Sequence, residues 1–346
     1  MILSTLDKSR KGGAYEQIPS LVLGQRWTPQ LNSRNMMKVV LCVWIEPYIE
    51  TDLSFCVWPV HTPTTSKEVL TLSASTSPLP YTGNKSCIVN TILSVMPKHT
   101  VYIDPCMGSA EVFFRKPRAE KEILNDYNGD LVNLFRVIQN NEKLAYLLGR
   151  LYLSINGELA FKQNKDRLKG VPNILDDVIE TSQIFYDASW EDIQNAAAFL
   201  ENQVYSFSST GQTFGIARRD MSQRLPRLMS AYNRIRDAII LHRDYKDVIT
   251  YAACPGSFIL LDPPYKGTED MYSKANFDIE QHDILFSFMS EVNQQHHGEV
   301  KFLITYNNGP YIRGLAEKHG FDTFVQTRLH SMKQSKEAGA LYEELL

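Results

Sequence analysis

The sequence has no Cys-x-x-Cys pair, and its five cysteines, at positions 42, 56, 87, 106 and 254, are scattered. That distribution suggests neither a disulfide framework nor a thiolate zinc site, and it suits a reducing, cytoplasmic compartment. No apolar run approaches the roughly 20 residues that a bilayer demands. Lys8, Arg10 and Lys11 precede no apolar stretch of the kind an export signal carries. Neither membrane insertion nor secretion is expected. Basic charge is not in excess either: 36 Lys and Arg against 39 Asp and Glu leave a net charge of -3. That balance argues against a chain coated in phosphate contacts and confines any nucleic-acid footprint to a local patch. His282, His296, His297 and His319 fall at no ligand spacing, so no metal is expected. Internal repeats and long low-complexity tracts are missing as well.

What is present is a chain of 346 residues, 43% hydrophobic, enough for one large α/β domain and a smaller module. Residues 1–77 mix Ser/Thr/Pro-rich stretches with one short apolar run, Val39 to Ile45, and carry no chemical motif. They read as an extension of unassigned role, an extra strand or translated upstream sequence with an internal start at Met36 or Met37. From Pro78 onward strand and helix alternate, the pattern of a doubly wound sheet. Val101–Asp104, Glu122–Asn125, Ser257–Leu261 and Lys301–Thr305 read as strands, with two more near Phe324–Val325 and Leu341–Leu346. Leu131, Leu134, Phe135 and Ile138 recur at helical spacing. Asp278 reads as the N-cap, with Gln281 completing a capping box, of a helix whose apolar face carries Ile284, Leu285, Phe288, Met289 and Val292. Between about 140 and 250 the alternation lapses into helical, arginine-bearing sequence that reads as an inserted module. Its stretch from Arg218 through Arg219, Arg224, Arg227, Arg234, Arg236 and Arg243 to Lys246 is the candidate basic patch, or else a solvated helix face.

Asp262-Pro263-Pro264-Tyr265 follows an apolar strand directly, which puts it at the carboxyl edge of an open sheet, where ligands bind. An aromatic amine is a poor nucleophile because its lone pair is delocalised into the ring. A carboxylate and a backbone carbonyl that accept both N–H bonds hold such an amine nearer to tetrahedral and aim the lone pair at a methyl donor. Asp262 and the carbonyl of Pro263 are suitable acceptors, and the two prolines keep the turn rigid and short of donors. Tyr265 offers a face on which an extruded base can stack. The bland alternative is a Pro-Pro turn with a surface tyrosine. A second motif would hold the donor. Asp104-Pro105-Cys106-Met107-Gly108 passes from strand to helix with a glycine where a ligand can approach the backbone, and Asp126 ends the next strand about 20 residues on, where an acidic residue commonly bonds ribose. Alone, Asp126 would serve equally as a helix cap. Gly83-Asn84-Lys85-Ser86 resembles the end of a phosphate-binding loop, but Leu79 and Asn84 stand where that motif needs glycine. Thr210 to Gly215 is glycine-spaced yet follows no strand, so it reads as a loop.

Together these residues resemble the Dam-type adenine-specific DNA methyltransferases, whose recognition domain is inserted between the cofactor and catalytic motifs. The likeness runs from about Pro78 to the C-terminus. Pro80 to Ser86 is similar to that family's opening segment, Asp104 to Ala110 to its cofactor turn and Asn125 to Leu131 to its ribose segment. Asp262 to Tyr265 matches its catalytic tetrad, and Leu341 to Leu346 resembles the start of its closing strand. The resemblance implies a Rossmann-like methyltransferase domain from residues 78–139 and 251–346, with a target-recognition domain at 140–250. It implies S-adenosylmethionine as cofactor, double-stranded DNA as partner, a monomer, and transfer of methyl to adenine N6. Tyr81, Gly83, Lys85, Asp104, Pro105, Gly108, Ser109, Asp126 and Asp262 would then face the cofactor. Ser208, Arg218, Arg219 and Arg224 would face DNA, with arginines setting register on phosphates.

Three positions depart from that pattern: Cys106 replaces a phenylalanine, Asn84 a glycine, and Ala110 the last glycine of the cofactor turn. Ala110 is expected either to take an ordinary φ or to cost affinity. The sequence also stops within the closing strand of the pattern, which implies further residues there. Methylation of cytosine N4 is the nearest alternative, since it needs the same chemistry on a similar amine. An inactive, DNA-binding relative is the other.

Overall fold

A computed structural model describes residues 76–176, 188–217, 219–266, 277–329 and 341–346. The apolar run at 39–45, all but the last two residues of the 1–77 extension, and Arg218 lie outside the described residues.

Five parallel strands form the main sheet: β1 (Val101–Asp104), β2 (Lys121–Asn125), β3 (Ile239–Leu241), β4 (Ser257–Leu261) and β5 (Lys301–Ile304), in the order β3-β2-β1-β4-β5. Ten α-helices are described: α1 (Val89–Val95), α2 (Glu111–Arg115), α3 (Gly129–Gln139), α4 (Asn141–Tyr152), α5 (Glu158–Lys169), α6 (Trp190–Tyr205), α7 (Leu225–Ile235), α8 (Tyr245–Ala252), α9 (Ile279–Gln295) and α10 (Pro310–His319). A three-stranded antiparallel extension, β6 (Tyr306–Asn307), β8 (Leu341–Leu345) and β7 (Val325–Leu329), follows β5 in that spatial order. The two sheets join through Thr305, whose N–H donates to Leu261 O at 2.9 Å and extends the β4–β5 pairing by one residue.

The period of two in the strands explains why helices cover both faces. Tyr102, Leu124, Phe258 and Leu260 point into one core, shared with α1, α2, α3 and α7. Val101, Ile103, Ile123, Ile259 and Leu261 point into the other, shared with α8, α9 and α10. Each buried Leu, Ile or Phe is worth about 1.5–3 kcal/mol relative to exposure. This is the doubly wound, Rossmann-like arrangement that the alternation of strand and helix implies. Chain direction across the sheet reverses between β1 and β4, so the crevice at their carboxyl ends is the topological switch point.

Three sequence expectations change. β3 pairs with β2 from within the 140–250 interval, so the last part of that interval belongs to the sheet. The helices before it, α4 to α7, pack onto α3 and the same core as Tyr102 and Phe258. On α9 the buried face is His282, Leu285, Phe286, Met289 and Val292, while Ile284 is exposed. Phe286 turns inward because it stacks on Tyr306, 6.0 Å away between ring centres. Asp278 does cap this helix, accepting from Glu280 N and Gln281 N. Asn128, not Asp126, caps α3.

A buried charge cluster ties α7 to the sheet. Arg234 donates both guanidinium NH2 groups to Glu122 on β2, at 2.5 and 2.8 Å, and Lys116 Nζ donates to the same carboxylate at 2.5 Å. Burial alone would raise the Glu122 carboxyl, but the bonds from Arg234 and Lys116 hold it below the usual range.

Candidate active site

A cavity of about 870 Å³ opens at the switch point. It is lined by every residue that the sequence assigns to the cofactor: Tyr81, Gly83, Lys85, Asp104, Pro105, Gly108, Ser109, Asp126 and Asp262. Pro263 and Pro264 line it too, so the Asp262 carboxylate and the Gly108 turn share one cleft.

The turn after β1 is built from backbone conformation. Met107 N donates to Asn125 O at 2.8 Å, and the Asn125 side-chain amide donates to Pro105 O at 2.8 Å, tying the β1 and β2 exits together. Gly108 has a φ of +48°, and a Cβ there would stand 3.7 Å from the Tyr81 ring, filling the approach to the turn. Ala110 keeps the left-handed conformation of the glycine it replaces, with a φ of +54°. The expectation of an ordinary φ is therefore corrected: Ala110 N donates to Met107 O at 2.6 Å and Phe114 N to Ala110 O at 3.0 Å, and these bonds hold the backbone. The left-handed state costs a non-glycine residue about 1 kcal/mol, so Ala110→Gly is expected to raise stability by about 0.5–1 kcal/mol in urea denaturation. Asn84 takes no left-handed φ; its amide donates to Tyr81 O at 3.0 Å, and its oxygen accepts from Ser86 Oγ at 2.6 Å.

Acidic groups crowd the end of the cavity beside the Gly108 turn. Asp126 Oδ2 accepts from Gly108 N at 3.0 Å and Oδ1 from Asn128 N at 2.9 Å. Burial pushes its carboxyl up to about 6, although these backbone donors pull against it. Asp104, bonded by the Tyr102 hydroxyl at 3.0 Å, is pushed up to about 8 by burial, with the charges of Asp262 and Asp126 adding to the effect. Sequence reading missed Asp244, which lines the same wall at the carboxyl end of β3 and caps α8. The apolar run Ala238–Leu241 before it was the available signal. Such a site suits a ligand carrying net positive charge and ribose hydroxyls, as the cationic sulfonium nucleoside S-adenosylmethionine does: Asp126 can accept hydroxyls, Asp104 an ammonium.

Around the tetrad, Lys85 Nζ donates to Asp262 Oδ2 and, at 2.7 Å, to Gly83 O. Thr305 Oγ1 donates to Asp262 Oδ1 at 2.6 Å. Tyr265 is not among the lining residues: its ring packs on Tyr306 at 5.7 Å, and its hydroxyl donates to the buried Glu344 at 2.7 Å. Lys85 Nζ stands 5.2 Å from the centre of that ring. It therefore covers both the acceptor and the aromatic shelf that the sequence assigns to an extruded base. Thr305 and Glu344 were not singled out from the sequence, because only tertiary pairing brings them to Asp262 and Tyr265.

Among the described residues assigned to DNA, none lines this cavity, although Ser208 adjoins Ser209 and Thr82, which do. Ser208 has a φ of +52°, and its carbonyl accepts from Thr82 Oγ1 at 3.4 Å. Arg219 donates to Val204 O and lines a second, more open cavity with Tyr152, Asn156 and Ile216. Arg224 is half-buried, and burial together with the charges of Arg227 and Arg219 holds its guanidinium below its usual range.

A parallel sheet with a glycine turn after β1, an acidic residue after β2 and an amine-accepting turn after β4 defines a nucleoside-dependent methyltransferase fold. Within that class, the chain belongs to the D12 class N6 adenine-specific DNA methyltransferase family, whose profile matches residues 81–335. Relatives in this S-adenosylmethionine-dependent family include the DNA N-6-adenine-methyltransferase of Escherichia phage P1, 25% identical over 258 residues, which cover 70% of this chain and 31% of the phage protein. Modification methylase StsI of Streptococcus sanguinis is 25% identical, with 66% of this chain and 35% of that protein covered. Modification methylase LlaI of Lactococcus lactis subsp. lactis is 21% identical, at 64% and 36%. The chain thus spans about a third of the length of these curated relatives. No helix among the described residues is long and apolar enough to cross a membrane.

Proposed function

We propose that the protein is a site-specific DNA adenine N6-methyltransferase of Dam-like type, using S-adenosylmethionine on an adenine extruded from double-stranded DNA. The observation that carries this reading is the single cavity whose walls include both Gly108 and Asp262. When bound, the cofactor supplies an electrophilic methyl carbon on a sulfonium sulfur. Asp126 would hold its ribose, and Asp104 and the Gly108 turn would hold its amino-acid end. Asp262 Oδ2 and the carbonyl of Pro263 accept the two N–H bonds of the amine and direct its lone pair. For the base to enter, Lys85 must leave Oδ2 and the ring of Tyr265, which then serves as the stacking face. As the new N–C bond formed and the methyl carbon's bond to sulfur broke, leaving a neutral thioether, the amine would lose one proton, which Asp262 is placed to receive.

The helical interval from about residue 140 to the start of β3 serves as the target-recognition domain in this reading. Arg224 supports it: guanidiniums that repel one another beside Arg227 are relieved by a phosphate. Arg224→Ala is expected to weaken DNA binding and to reduce the log–log salt slope by about 0.9, the value for one phosphate contact, with S-adenosylmethionine affinity unchanged. An unchanged slope removes Arg224 from the interface. Arg219 is a poorer probe because it also holds the loop carbonyl of Val204.

The function is tested by incubating the purified chain with methyl-labelled S-adenosylmethionine and duplex DNA, then digesting the DNA to nucleosides. Label in N6-methyladenine supports the proposal. Label in N4-methylcytosine transfers the mechanism to the other base, and none from a folded, cofactor-binding sample points to the inactive relative.

A further inference from the structure

We propose that Thr305 is a positioning residue that fixes the plane of the Asp262 carboxylate and leaves only Oδ2 for the target amine. This inference rests on the function proposed above. Thr305 lies between β5 and β6 and is fully buried. Its N–H bonds to Leu261 O, the residue immediately before Asp262, so the register of the sheet sets its side chain beside the catalytic carboxylate. An ionised carboxylate can only accept, so the single hydroxyl hydrogen of Thr305 must be directed at Oδ1 in the 2.6 Å contact. Lys85 holds Oδ2. The two oxygens are thereby divided, one anchored in the interior and the other facing the cavity.

The division matters when the base arrives. The terminal torsion of an aspartate is broad and roughly two-fold, so a carboxylate with neither oxygen held is free to turn. Once Lys85 has moved away, the hydroxyl of Thr305 is the contact that keeps Oδ2 aimed at the amine. The Tyr265 hydroxyl is fixed separately, by its bond to Glu344.

The test compares Thr305→Val, which keeps the shape and loses the donor, with Thr305→Ser, which keeps the donor. Turnover of duplex DNA, affinity for S-adenosylmethionine by calorimetry, and thermal melting are measured for each. Misaligning a preorganised acceptor is expected to lower kcat about tenfold or more in the valine variant, while both KM values and cofactor affinity stay within about twofold. The serine variant is expected within about threefold of wild-type kcat. Wild-type kcat in a folded T305V overturns the proposal, as does a loss in T305S equal to that in T305V, which would assign the effect to the missing methyl. Should T305V fail to fold, T305C, whose thiol is a weak donor, takes its place: it must turn over more slowly than T305S, and equal rates overturn the proposal. The wild-type reaction run alongside separates the two layers. No methyladenine from wild type overturns the proposed function and this inference with it, whereas equal turnover by wild type and T305V removes only the role of Thr305.

Discussion

Asp262→Ala is expected to lower kcat for adenine methylation by about 10³-fold or more, since it removes both an acceptor that shapes the nucleophile and the group that receives its proton. Cofactor affinity should change little, because the ribose and amino-acid ends are assigned to Asp126, Asp104 and the Gly108 turn. The substitution also frees Lys85, whose ammonium then retains Gly83 O and proximity to Glu344, at 4.0 Å. Asp262→Asn is the more informative companion: it keeps the volume and one acceptor oxygen but adds an NH2 that faces the Lys85 ammonium donor to donor. Single-turnover rates with saturating cofactor separate chemistry from binding. Substantial turnover in the alanine variant discards the assigned mechanism.

Binding of the cationic cofactor is expected to release protons and to tighten as pH rises from about 5 to about 8. The Asp126 carboxyl is pushed up to about 6 and that of Asp104 to about 8, in each case mainly by burial. Asp262 raises both, while Lys85 and the Tyr102 hydroxyl work against the shift at Asp104. A cation placed beside them favours the ionised forms, so bound values fall and protons leave. The affinity gain is at most about tenfold per pH unit for each proton released. The same shifts act on stability with a definite sign. Folded carboxyls here hold protons that an unfolded chain, with aspartate near 3.9, has already lost, so the cofactor-free protein loses stability as pH rises between about 4 and 8. Above about 8 the loss is complete and the curve flattens. Calorimetry in buffers of different ionisation heat, together with melting curves from pH 5 to 9, checks both. Zero proton release at pH 7 and a flat melting profile contradict the account.

The main strands and the tetrad were legible because buried parallel strands are short unbroken apolar runs, and Ser257–Leu261 leads straight into Asp262. The cofactor wall was legible for the same reason, from Val101–Asp104 and Asn125-Asp126. β3 was not, because it is a three-residue strand at the end of an arginine-rich helical stretch, and its partner β2 lies more than a hundred residues back. On α9 a helical period alone left the orientation open, and contact with Tyr306 selected Phe286 over Ile284. Thr305 and Glu344 carry no local signal; each becomes part of the site only through sheet register. Ala110 shows a different limit, since its departure from the family pattern suggested either an ordinary φ or a cost in affinity, while two backbone bonds hold it in the left-handed conformation.

The most direct measurement is a structure of the protein with S-adenosylhomocysteine and duplex DNA bearing a target adenine. The account places the extruded N6 within hydrogen-bonding distance of Asp262 Oδ2 and the Pro263 carbonyl, over Tyr265, with Lys85 displaced. An extruded base lodged elsewhere, with the Lys85–Asp262 pair intact, contradicts it.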